Sequence, residues 1–220
     1  MFCWNTIFVQ GRRLMMRVTK WLFSFWCLWA CVATALADED MPYIRTQEVS
    51  ADAKVIRLFF MFSCPHCHSA DKALLDWGNT LPASLIYART PVVVKDDSSV
   101  LGAIAYYTAL TTSPQNINSY CSTVFRLIHQ QGFTADKKET YFLAAKTARL
   151  NMTEFYRHWA DEQVMSMFAH AALLSFSYQI QLTPTLVVGG RYAISPETVS
   201  GNMGSFIQLA NAVVSKRLQE

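Results

Sequence analysis

The chain has 220 residues, 52% of them hydrophobic, with 19 basic and 16 acidic side chains and a formal net charge of +3. That length suits one domain with room for an insertion, and it is enough to bury a full core. The positive balance is local: residues 1–37 hold four basic side chains (Arg12, Arg13, Arg17, Lys20) and no acidic one, so the other 183 residues carry 15 − 16 = −1. The charge is therefore no ground for nucleic-acid binding.

Those four charges precede an uncharged apolar run, WLFSFWCLWACVAT at Trp21–Thr34, and Ala35-Leu36-Ala37 follows it. Positive flank, short apolar core and small-x-small exit are the parts of a secretory signal peptide. The run is shorter than the roughly 20 residues of a membrane span. Residues 1–37 are expected to be a signal peptide cut after Ala37, which sends the mature chain to an oxidising compartment. Two other readings stay open: an uncleaved anchor, and lipid on Cys31, because Leu28-Trp29-Ala30-Cys31 loosely resembles a lipoprotein cleavage site. Cys3, Cys27 and Cys31 leave with the signal. Cys64, Cys67 and Cys121 stay, too few for a disulfide scaffold.

Further along, Tyr43–Val49 reads as a short first strand. Lys54–Phe62, KVIRLFFMF, is a nearly continuous apolar run, as in a strand covered on both faces. Cys64 follows two residues later in FSCPHCHSAD. The next stretch has Ala70, Ala73, Leu74 and Trp77 at helical spacing, with Gly78-Asn79 as the stop. Ser84–Val94 reads as a second strand, weakened or ended by Pro91. The cysteine pair thus sits where a strand turns into a helix within a β-α-β unit.

From Asp96 the pattern becomes helical. Ser98–Thr111, Ile117–His129 and Thr140–Leu150 are expected helices. Asn151-Met152-Thr153-Glu154 has the spacing of a helix-start box. One or two more helices reach Tyr178, with Phe155, Trp159, Val164, Met165, Met167 and Phe168 as their core face. QLTPTLVVGGRYAIS then returns to β, as strands Thr185–Val188 and Arg191–Ile194 around a Gly189-Gly190 turn. Met203–Leu218 closes as a helix.

A Cys-x-x-Cys pair can bind metal, lock a loop or pass electrons. A structural zinc site wants four ligands, and only His66, His68 and the distant Cys121 could join this pair. Neither metal nor organic cofactor is expected. Cys121 shares a helical stripe with Ile117, Val124 and Phe125 and reads as a buried apolar thiol. His129, His158 and His170 show no ligand spacing and read as surface or core residues. Met165–Met167 reads as core rather than a peptide groove. His68 reads equally as a residue tuning the site and as one exposed at the helix edge.

The element order, a Cys-Pro-His-Cys tetrapeptide opening the first helix, and Thr-Pro-Thr before a hairpin resemble the thioredoxin fold. With a helical block between its halves, the chain resembles the DsbA family of bacterial periplasmic disulfide oxidoreductases. The resemblance implies an α/β fold in two halves, residues 38–95 and 179–220, around a helical insertion, 96–178. It makes Cys64 the nucleophile and Cys67 the resolving cysteine of a redox-active disulfide, with Pro65 and His66 between them as catalytic neighbours. It makes Thr183 and cis-Pro184 the substrate-binding residues that face the pair. Only the resemblance raises a cis bond here above the 5–6% common for X-Pro.

Departures are Leu58, where many members carry an acid; His68, where an aromatic is common; and Thr183, where the best-known oxidases have Val. The implied activity is a monomeric oxidase that introduces disulfides into reduced, unfolded exported proteins and is reoxidised by a DsbB-type membrane protein. A reductase or isomerase, and a redox-inert chaperone with a dedicated client, are the rivals. The length ahead of the fold leaves no room for the N-terminal dimerisation module of many isomerase-type relatives.

The chemistry explains the residue types. Exchange needs a thiolate attacking a disulfide sulfur in line. At the first helical turn, Cys64 faces unpaired N–H groups and the positive end of the dipole. Pro65 costs nothing at the first helical position, where its missing donor is not needed. His66 can add a positive charge or a hydrogen bond. In DsbA the nucleophilic thiol ionises at about 3.5, against about 8.5 for a free thiol. A shift of roughly 5 units favours the thiolate by about 7 kcal/mol, which makes the disulfide form the oxidant.

Overall fold

Val55–Phe60 (β2) runs toward the cysteine pair, and its apolar side chains pack on both faces of the sheet. The computed structural model describes residues 41–220, so the signal-peptide, anchor and Cys31 readings lie outside the described residues. Within them the strands are β1 (Ile44–Arg45), β2, β3 (Ile86–Pro91), β4 (Thr185–Val188) and β5 (Tyr192–Ile194), in the sheet order β1-β5-β4-β2-β3. β2 pairs parallel with β3 and antiparallel with β4; β4–β5 and β5–β1 are antiparallel.

The helices are α1 (Pro65–Gly78), α2 (Asp97–Thr112), α3 (Ile117–Gln131), α4 (Lys138–Thr147), α5 (Met152–His158), α6 (Glu162–Ser177) and α7 (Met203–Gln219). No described helix is long and apolar enough to cross a membrane.

Alternation along β2 sorts its side chains. Ile56 and Leu58 join Leu186, Val188 and Ile194 on one face, against Leu74 and Trp77 of α1 and Phe206, Ala210 and Val213 of α7. Phe59, Val187 and Ala193 face the other way, against Leu174 and Tyr178. The end of the strand carries Phe60 and Phe62 into a third core built mainly by α2–α6. Burial of each such aromatic contributes about 2–3 kcal/mol. The Trp77 Nε1–H donates to Asn211 Oδ1 at 2.8 Å and ties α1 to α7.

Arg57, inside an apolar strand, is held by partners. Its guanidinium donates to both oxygens of Asp52 (2.8 and 2.5 Å) and to Thr90 Oγ1 (2.9 Å), and Tyr178 Oη donates to Asp52 at 2.7 Å. Such a bidentate pair satisfies charges that would be costly alone.

The expected hairpin turn is present, with Gly189 and Gly190 at φ +58° and +68°. A Cβ on Gly190 would also meet the Val49 carbonyl oxygen at 2.3 Å. Asn151 caps α5, its side chain accepting from the N–H groups of Thr153 and Glu154. Two expectations need correction. The strand expected over Tyr43–Val49 is only Ile44–Arg45; beyond it Thr46 and Val49 bond single carbonyls of Arg191 and Gly190 as the chain turns into a short 3-10 helix at Ser50–Asp52. Met165 is not core: it lies on the exposed side of α6, 38% exposed, whereas Val164 is buried and Met167 packs against the core.

Candidate active site

Cys64 caps α1. Its backbone is extended (φ −82°, ψ 116°), Pro65 takes the first helical position, and its sulfur accepts from the Cys67 N–H at 3.2 Å. Across the site, the Cys64 thiol donates to the Thr183 carbonyl oxygen, also at 3.2 Å. That carbonyl is presented by a cis Thr183–Pro184 bond leading into β4. The expected residues Cys64, Cys67, Thr183 and Pro184 are thus brought together from segments about 120 residues apart, with Cys64 half-buried and Cys67 and Pro184 buried.

The two sulfurs are electrically unequal. The Cys64 thiol is lowered from 9.0 to about 5. The largest cause is the hydrogen bond from the Cys67 thiol; the Thr183 side chain and the N–H groups of Cys67 and His66 add to it, and burial opposes them. The Thr183 carbonyl is a counterweight, since it accepts from the thiol and would face an anion unprotonated. Cys67 is pushed up, by burial first and then by the neighbouring Cys64 sulfur. His66 acts on the sulfur through its backbone N–H, while its ring is exposed.

A thioredoxin sequence profile matches residues 50–208, most of the chain. The chain belongs to the thioredoxin family. It is 23% identical over 156 residues to the thiol:disulfide interchange protein DsbA of Bordetella pertussis, covering 71% of this chain and 73% of that one. It is 24% identical over 166 residues to the DsbA of Pseudomonas aeruginosa, covering 74% and 75%. The crystal structure of Pseudomonas aeruginosa DsbA superposes with a TM-score of 0.72 at 20% identity, over 81% of this chain and 93% of that one. The oxidoreductase NmDsbA1 of N. meningitidis superposes at 0.71 and 17% identity, over 84% and 96%.

In this DsbA-like chain Leu58, at the position where many members carry an acid, is buried in the apolar core. An acid does lie on α1. Asp71, one turn beyond Cys67, pairs with Arg89 of β3 at 2.5 Å, with side chains only 14% and 6% exposed. Burial pushes the Asp71 carboxyl up, and Arg89 pulls it back. The Arg89 guanidinium also lies 4.9 Å over the Phe60 ring, while its Nε and Nη1 have no hydrogen-bond partner among the described residues. The one legible signal for this pair was a charge, Arg89, inside an otherwise apolar strand.

The cysteine outside the motif, Cys121, is fully buried as expected, and burial pushes its thiol up to about 12. His158 sits at a helix end against Asp161. His129 is half-buried on α3. It stacks on His68 and touches the turn before Cys64. Nothing in its sequence neighbourhood marked this. Among the described residues, no group of three or more His, Cys, Asp or Glu could hold a metal.

Proposed function

We propose that this thiol-disulfide oxidoreductase of the DsbA type runs as an oxidase, with Cys64 the attacked and leaving sulfur and Cys67 the resolving one. The observation that supports it is a half-buried helix-capping sulfur, lowered to about 5, beside a buried partner that is raised.

A client thiolate attacks the Cys64 sulfur of the Cys64–Cys67 disulfide. The sulfur–sulfur bond breaks, and Cys67 leaves with the electron pair and takes up a proton. A second client thiolate then attacks the client sulfur of the mixed disulfide, and Cys64 leaves as a stabilised thiolate. The client loses two electrons and gains a disulfide; the pair gains two electrons. A low leaving-group pKa accelerates the second step. Pro65 keeps the first turn open to Cys64, the N–H of His66 joins the cap, and Thr183 with Pro184 offers backbone to an extended client segment, in the manner of strand addition.

Clients are reduced, unfolded exported proteins, the site is the periplasm, and reoxidation falls to a DsbB-type membrane protein, with this chain as a monomer. Export rests on the basic flank, the apolar run and the Ala37 exit. The equilibrium with glutathione tests the direction: a potential near −120 mV is expected, and one near −270 mV, as in thioredoxin, overturns the oxidase. A Cys67→Ala variant should hold clients on Cys64 as mixed disulfides. Full function after Cys64→Ser would leave only a redox-inert chaperone.

A further inference from the structure

The turn that delivers Cys64 is held from outside its own half of the fold. The Cys64 N–H donates to the Met61 carbonyl at 3.2 Å, with Phe62 and Ser63 as the central turn residues. The Phe62 carbonyl belongs to the peptide between those two residues. The orientation of that peptide is what separates the two commonest turn types, and it sets the direction from which the chain enters Cys64. His129 Nε2, from α3, lies 2.8 Å from that carbonyl oxygen. A carbonyl only accepts, so this nitrogen carries the proton.

The His129 ring is itself fixed. It stacks on His68 of α1 with centroids 4.9 Å apart and planes 9° from parallel, and Phe125 lies beside both rings. Gln130 Nε2 sits 3.4 Å from His68 Nε2. A stack so close to parallel does not aim two ring nitrogens at a common ion, so these residues clasp each other.

We propose that His129 is a positioning residue for the thiol exchange: it fixes the Phe62–Ser63 peptide, and His68 fixes His129, so that the Cys64 sulfur meets the N–H groups of the first turn of α1. The inference rests on the redox reading of the pair given above. Loss of the clasp frees the peptide to flip. The sulfur then spends less time in line with its N–H donors, its anion is less favoured, and the pair becomes a weaker oxidant.

The test uses the full mature protein. His129→Phe keeps a stacking ring and removes the donor; His129→Gln restores a donor without the imidazole. The thiolate absorbance of the reduced protein, titrated against pH, gives the Cys64 pKa, and the glutathione equilibrium gives the potential. His129→Phe is expected to raise the pKa by about one unit and move the equilibrium about tenfold toward the disulfide, the effect of one hydrogen bond. His129→Gln is expected to recover most of both.

A folded His129→Phe protein with unchanged pKa and equilibrium overturns the proposal. Nitrogen NMR of the unmodified protein is independent of any folding defect: His129 protonated on Nε2 is expected, and a proton on Nδ1 alone overturns it. Cys64→Ser separates the two levels. If it abolishes exchange while His129→Phe changes nothing, the clasp falls and the redox reading stands. If exchange survives Cys64→Ser, the redox reading falls whatever His129 does.

Discussion

Asp71 and Arg89 form a buried ion pair, Oδ1 to Nη2 at 2.5 Å, on the side of α1 that also carries Cys67. Removing one partner leaves a charge without compensation. Arg89→Met is expected to destabilise the protein by about 3–5 kcal/mol, and Asp71→Leu with Arg89→Met to recover much of it. Urea unfolding of the oxidised form checks this, since no active-site thiol then titrates. The sign with pH is fixed: Asp71 is raised in the folded state. Without Arg89 it rises further, so the variant is most stable below the unfolded carboxyl value of about 4 and loses stability as pH climbs. Equal losses at pH 4 and pH 8 would contradict it.

The Cys64 thiol links redox state to pH. Its folded value, about 5, lies below its ordinary 9.0. A lowered acid adds stability that is complete above the unfolded value and disappears as pH falls through the folded one. The reduced protein should therefore gain on the oxidised protein between about pH 5 and 9. Four units correspond to about 5 kcal/mol at most. Half-burial and solvent screening cut this to about half. Melting both forms across that range measures it, and parallel curves would exclude a stabilised thiolate.

Thr183 acts on the sulfurs through two groups of opposite effect, its carbonyl and its side chain. Thr183→Val removes only the hydroxyl, whose effect is to lower the Cys64 thiol. The Cys64 pKa should rise by about one unit, as expected for one lost bond to an anion, and the glutathione equilibrium should move toward the disulfide. A fall in pKa would reverse the role assigned to the hydroxyl.

Cys121 of α3 is fully buried in the core that α2–α6 build. Cys121→Ala should cost about 1 kcal/mol through a small cavity. Cys121→Ser should cost about 1–3 kcal/mol, because it buries a hydroxyl without a partner. Client oxidation by the folded fraction should be unchanged in both. A selective loss of turnover would place this thiol in the redox path.

Most of the fold was legible because its signals are local. Lys54–Phe62 announced a buried strand, Pro91 ended the next one, and Asn151 and Gly189-Gly190 marked a helix start and a hairpin. Where the reading slipped, tertiary contact was deciding. β1 keeps two residues because only Ile44 and Arg45 find ladder partners on β5. Met165 has the apolarity of a core residue, but its position on α6 turns it to solvent. Asp71 and His129 carried no motif, because each acquires its role from a partner on another element.

By itself the sequence determined the reactive pair and its electrical setting at a helix start, since cap, proline and N–H groups all lie within four residues of Cys64. Only the tertiary structure decided what faces that sulfur and what holds it: Thr183 lies 119 residues away, and His129 reaches back 67 residues to Phe62. Hydrogen bonds within one helical turn follow from backbone geometry. Those between distant segments exist only once the sheet and the helical block have packed and set their positions.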